Sequence, residues 1–79
     1  TMSERSPLTE RHRRVLVCLT VFGPSTSTQI GDAMGLRPDH AGRLASRVAA
    51  EGYAIRVGDD WKATERGRRM LRIWGMTDA

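Results

Sequence analysis

Within residues 37–47, Arg37, Asp39, His40, Arg43, Ser46 and Arg47 bring guanidinium groups, a ring nitrogen and a hydroxyl into a short stretch. Arg43 and Arg47 are four apart, so on a helix they project together, one turn from each other. A guanidinium can donate two hydrogen bonds to guanine N7 and O6, which is worth about 1–3 kcal/mol of discrimination, or it can fork onto a phosphate. The chemistry on offer is recognition of base edges and phosphates. The plainer alternative is a solvated face, tied down by ion pairs to Asp39 or Glu51.

Other chemistries find no support. There is no combination of nucleophile, base and acid, no glycine loop that cradles phosphate, and no ligand cluster at metal spacing. The expectation is therefore a protein that is not an enzyme and uses no cofactor and no metal. His12 and His40 are far apart and lack neighbouring carboxylates. His12 falls on an apolar stripe and reads as a partly buried structural histidine, whereas His40 can read a base, contact phosphate or face solvent. Cys18 is the only cysteine, which excludes an intramolecular disulfide and a cysteine zinc site. It lies in the apolar run Val15–Leu19 and reads as a buried structural thiol.

The reactive-looking residues need elements to hold them. Thr9, or Ser6-Pro7, offers a start for a first helix in which Leu8, His12, Val15, Leu16, Leu19 and Phe22 recur at helical spacing. Gly23-Pro24 ends it. Thr26-Ser27-Thr28-Gln29 forms a capping box for a short second helix with Ile30, Ala33 and Met34 inward. Gly35 stops that helix and Leu36 fills the corner. Pro38 opens a third helix, whose buried stripe is Ala41, Leu44, Ala45 and Val48, and Gly52 ends it. Tyr53–Val57 alternates as a strand, Gly58-Asp59-Asp60 is turn chemistry, and Trp61–Ala63 pairs back. Trp61 is expected to pack on the core. Thr64-Glu65 then starts a last helix carrying Met70, Leu71 and Trp74 on one face, with Gly75 closing it.

Seventy-nine residues make one small domain with a modest core, expected to span 8–76 behind a disordered tail at 1–7. Thr1 ahead of Met2 reads as a residue added before the natural start. No apolar run approaches the roughly 20 residues of a membrane span, and the N-terminus is charged, which points to the cytoplasm. The formal net charge is +4, carried by 12 arginines and one lysine. Residues 1–36 contribute +1 and residues 37–72 contribute +4, so the excess lies in the third helix, the hairpin and the last helix. That balance suits a polyanion partner.

The order helix, helix, helix, strand, turn, strand, helix resembles a winged helix-turn-helix domain of bacterial or phage transcription regulators, most nearly the MarR-like branch. The fold class is thus α+β, mainly α, with three helices, a two-stranded wing hairpin and a C-terminal helix. The resemblance rests on Leu8-Thr9, the run Gln29–Leu36, the run Leu44–Tyr53 ending in Glu-Gly-Tyr, and Thr64-Glu65-Arg66-Gly67, which together cover residues 8–74. Arg37 departs from the pattern, because the family usually opens its third helix with Ser or Thr. A cap from the backbone or from Asp39 is expected instead. Full-length MarR-type proteins carry further helices for dimerisation and ligand binding, so effector sensing of that kind is not expected of these residues.

The resemblance implies sequence-specific binding of double-stranded DNA with the third helix (37–51) in the major groove. Thr26, Ser27 and Thr28 would donate to phosphate at a helix N-terminus, although capping explains them equally well. The family's wing lies along the backbone or enters the minor groove. Here Asp59 and Asp60 at the tip repel phosphate, so Arg56 and Lys62 at the wing's base are expected to make the contact. Arg66, Arg68, Arg69 and Arg72 spread around the last helix as a mixed surface. Met70, Ile73, Trp74 and Met76 exceed what one buried face needs, which suggests a homodimer through that helix. The alternative function is a winged helix that binds protein and not DNA.

Overall fold

In a computed structural model, residues 8–75 are described, and they run α1 (Glu10–Val21), α2 (Ser27–Met34), α3 (Pro38–Ala50), β1 (Ala54–Val57), β2 (Asp60–Ala63) and α4 (Glu65–Trp74). The expected tail at 1–7, the helix start at Pro7 and Met76 lie outside the described residues.

Local chemistry sets the boundaries. Thr9 caps α1, and its box partner is His12, whose Nδ1 accepts the Thr9 amide at 3.0 Å. Thr26 and Gln29 close the same motif on α2, with the Thr26 amide donating to Gln29 Oε1 at 2.9 Å. Gly35 ends α2 at φ 73°, a conformation that a side chain would disfavour. Arg37 sits at the N-cap of α3 with no side-chain hydrogen bond to the helix, and Pro38 supplies the preformed first turn. Thr64 caps α4 by accepting the Gly67 amide.

The core is the meeting point of these elements. Val15, Leu16 and Leu19 of α1, Ile30 of α2, the stripe Ala41, Leu44, Ala45 and Val48 of α3, and Leu71 of α4 are all buried, with Ala54, Trp61 and Ala63 closing the hairpin side. Two glycines permit close approach. A Cβ on Gly31 would stand 2.5 Å from the Leu36 carbonyl oxygen, and the Leu36 amide in turn donates to Gly31 O at 2.8 Å. A Cβ on Gly67 would overlap the Tyr53 carbonyl oxygen where α4 crosses the start of β1.

The hairpin pairs Ala54 with Ala63, Ile55 with Lys62, Arg56 with Trp61 and Val57 with Asp60, all antiparallel. Its loop is two residues, and Gly58 at φ 63° takes the first central position, as a type II′ turn requires. An isolated bridge from Ser25 to Trp61 adds the segment before α2 to the outer side of β2.

Three expectations about burial need correction. Phe22 is 69% exposed and Ala33 is also exposed, both lining one open groove with Pro24, Gln29 and Asp32. Cys18 is half-buried at the side of a groove with Arg14, Val17, Ala33 and Met34; burial raises its thiol pKa and Arg14 opposes that. No helix among the described residues is long and apolar enough to cross a membrane.

Candidate nucleic-acid interface

The 3.6-residue period that buries four residues of α3 turns the opposite positions outward. Asp39, Arg43, Ser46 and Ala50 are exposed and succeed one another along a single stripe. Arg43 stands at its centre, and among the described residues no acid pairs with it. Arg37 is exposed ahead of the stripe, with Nε 3.7 Å from Asp39 Oδ1. A pair so solvated contributes little and can reopen toward another anion.

Two of the residues singled out on α3 sit to one side of the stripe. Arg47 is half-buried, with Nε 3.5 Å from Glu51 Oε2 one turn along. Its charge also faces His12, whose pKa is lowered first by burial and then by this guanidinium. His40 is half-buried and lines a groove of about 900 Å³ with Thr9, His12, Gly35 and Leu36, between the start of α1 and the turn before α3. Arg43 and Arg47 share a turn of helix, but only Arg43 is fully presented.

At the start of α2 the hydroxyls have separate tasks. Thr26 Oγ1 accepts the Gln29 amide at 3.2 Å, Ser27 Oγ accepts the Trp61 indole N–H at 3.2 Å, and Thr28 is exposed. On the hairpin, Arg56 lies over the Trp61 ring at 5.4 Å and its Nε donates to the Gly58 carbonyl at 3.1 Å. One of the donors of this exposed guanidinium is thereby used, and the terminal nitrogens keep theirs for another acceptor. Lys62 is exposed on the other face, opposite Ile55, and Asp59 occupies the exposed tip.

The basic residues of α4 disperse as their spacing predicts. Arg66 lies over Tyr53 at 5.5 Å, Arg68 donates to the Ala63 carbonyl, and Arg69 pairs with Glu65 at 3.6 Å. Tyr53 and Trp74 meet edge to face at 5.7 Å, and Arg13 covers Trp74 at 4.9 Å. Sequence reasoning misses this column and misses Ser25, whose backbone carries the bridge to Trp61. Nothing in local periodicity marks either. It also misses Gly42, although a glycine inside a helix is itself a sign of close approach. Among the described residues no group of three or more His, Cys, Asp or Glu side chains is placed to hold a metal ion.

No protein-family model and no curated protein matches the sequence. Solved structures do match the fold. RV1404 from Mycobacterium tuberculosis aligns with a TM-score of 0.78 at 25% identity, over 82% of this chain and 49% of that one. A MarR family protein from Bacillus stearothermophilus aligns with a TM-score of 0.78 at 24% identity, over 86% of this chain and 51% of that one. The transcriptional regulator Tm0710 from Thermotoga maritima gives a TM-score of 0.75 at 19% identity, over 82% of this chain and 51% of that one. The fold is a MarR-like winged helix-turn-helix, α1 to α3 forming the helical part and β1–β2 the wing. The chain spans about half the length of the structures it matches.

Proposed function

We propose that this domain binds double-stranded DNA sequence-specifically, with α3 in the major groove, as the DNA-reading part of a transcription regulator or of a phage or mobile-element factor. The observation that carries the reading is the exposed stripe of α3, with Arg43 at its centre and a buried stripe behind it. A helix so mounted can enter a groove about 12 Å wide while the rest of the domain stays outside. Arg43 reads base edges, with Arg37, Asp39 and Ser46 beside it. His40 and Arg47 flank the stripe, and Thr28, Arg56 and Lys62 reach phosphates. The protein acts in the cytoplasm, as a binder and not as an enzyme.

A selection of bound fragments from random duplex DNA tests this. The expected result is one enriched motif, bound with a strong salt dependence. Recovery of no duplex at low salt would overturn the reading. Palindromy of the motif would report a dimer. Ile73, 70% exposed on α4, supports self-association through that helix, and light scattering at high concentration checks it.

A second reading, a protein-binding module, is favoured by Val21 and Phe22, which are 65% and 69% exposed at the end of α1. Partner binding that ignores salt, with no duplex bound, is its signature.

A further inference from the structure

Trp61 makes three different contacts, each to a different part of the domain. Its backbone exchanges two hydrogen bonds with Ser25, at 2.7 and 3.0 Å. Its indole N–H donates to Ser27 Oγ at 3.2 Å. Its ring carries the Arg56 guanidinium. Ser27 is the first residue of α2, one position past the cap, and Thr26 and Gln29 already satisfy the capping box. The Ser27 hydroxyl is thus not needed to cap the helix. It instead reaches across to α3, where a Cβ on Gly42 would stand only 3.1 Å from it.

A two-stranded hairpin is marginal by itself and takes its position from what it packs on. This one has an exposed outer face, with Ile55 and Val57 both about half-exposed, so few contacts hold it. A buried ring with one directed hydrogen bond fixes both its distance and its angle to the helices. We propose that Trp61 and Ser27 are positioning residues that lock the wing to α3, so that Arg56 and Arg43 meet a duplex at one set spacing. Preorganisation of this kind removes the ordering that binding would otherwise require. The inference rests on the DNA-binding reading above. It adds that the wing acts through a strut running from β2 through the start of α2 to Gly42.

The test uses the 79-residue chain and the duplex recovered by selection. Trp61→Phe keeps a ring and removes the N–H, Ser27→Ala removes the acceptor, and Gly42→Ala pushes the hydroxyl aside. Affinity is measured against salt concentration, with melting temperature and amide NMR spectra as the check on folding. All three variants are expected to bind several-fold more weakly and to lose about one phosphate contact from the salt slope, as Arg56→Ala does. Adding Arg56→Ala to Trp61→Phe is expected to cost nothing further. Folded variants with the wild-type salt slope, or a full additional loss from Arg56→Ala in the Trp61→Phe background, would overturn the strut and leave DNA binding intact. A wild-type chain that binds no duplex overturns both. If Trp61→Phe fails to fold, Ser27→Ala decides the matter, because it removes a single oxygen atom.

Discussion

Arg43 on α3 and Arg56 on the wing present their charges in opposite ways. In α3, four buried residues fix the helix on the core, and Arg43 extends from the far side with no acid among the described residues to hold it back. In the wing, only Ala54, Trp61 and Ala63 are buried, and Arg56 lies across a tryptophan with its Nε on the Gly58 carbonyl. A side chain on a rigid element can be left extended, because its backbone already determines where it reaches. On the thin hairpin the Arg56 side chain is itself tied down. Exposed charge and useful charge are thus separate properties, and the mounting decides between them.

The most damaging change is expected where α3 is mounted on the core. Leu44→Ala is expected to cost about 2–5 kcal/mol of stability, as a core truncation does. Its wing counterpart, Val57→Ala, changes a side chain 55% exposed and should stay within about 0.5 kcal/mol. Urea unfolding of the two variants checks this, and equal losses would show that the wing is mounted as firmly as the helix.

Next in size is the effect on binding. Arg43→Ala should lose about 1–3 kcal/mol on the selected site and relax the preference at one base position. Lys62→Ala should weaken all sequences alike and reduce the salt slope by about one. A competition series with single-base variants of the site separates the two outcomes.

Gly58→Ala loosens the wing at its turn. No atom lies within 4 Å of the added Cβ, so only the positive φ resists it. The expected cost is about 1–2 kcal/mol, concentrated in the hairpin. Amide exchange should therefore rise in β1 and β2 and stay unchanged in α3.

The smallest effect is expected from pH. His12 accepts the Thr9 amide through Nδ1, which it can do only when that nitrogen is unprotonated. Its folded-state pKa is lowered from the ordinary 6.5, by burial first and Arg47 second. The unfolded chain therefore takes up the proton first. Stability is complete above pH 6.5, falls as pH drops below it, and levels off once the folded state is protonated too. His12→Gln keeps a capping-box residue without a titrating group, and should flatten the melting temperature across this range.

Much of the fold could be read directly because its punctuation is local. Thr26 with Gln29, Gly35, Pro38 and Gly75 act within a turn of their own positions, and the stripe from Ala41 to Val48 obeys the helical period. Phe22 continues the period of α1 and is still left exposed, because periodicity states which face is apolar but not how far the neighbouring helix extends along it. The site was only half readable. The positions of Arg43, Ser46 and Asp39 come from the period, and the Arg47–Glu51 pair lies one turn along the same helix, whereas the half-burial of Arg47 beside His12 depends on which partners α3 meets.

Local sequence signals set where the elements begin and end, which face of α3 is buried, and the winged helix-turn-helix order of the chain. Each of those depends on residues within four positions of one another, where backbone geometry leaves few choices. Tertiary structure decided which cations stand clear, that Ser27 serves Trp61, and that Ser25 joins the sheet. These pairings link residues 34 positions apart (Ser27 and Trp61) and more, and they exist only once packing has brought separate elements to hydrogen-bond distance.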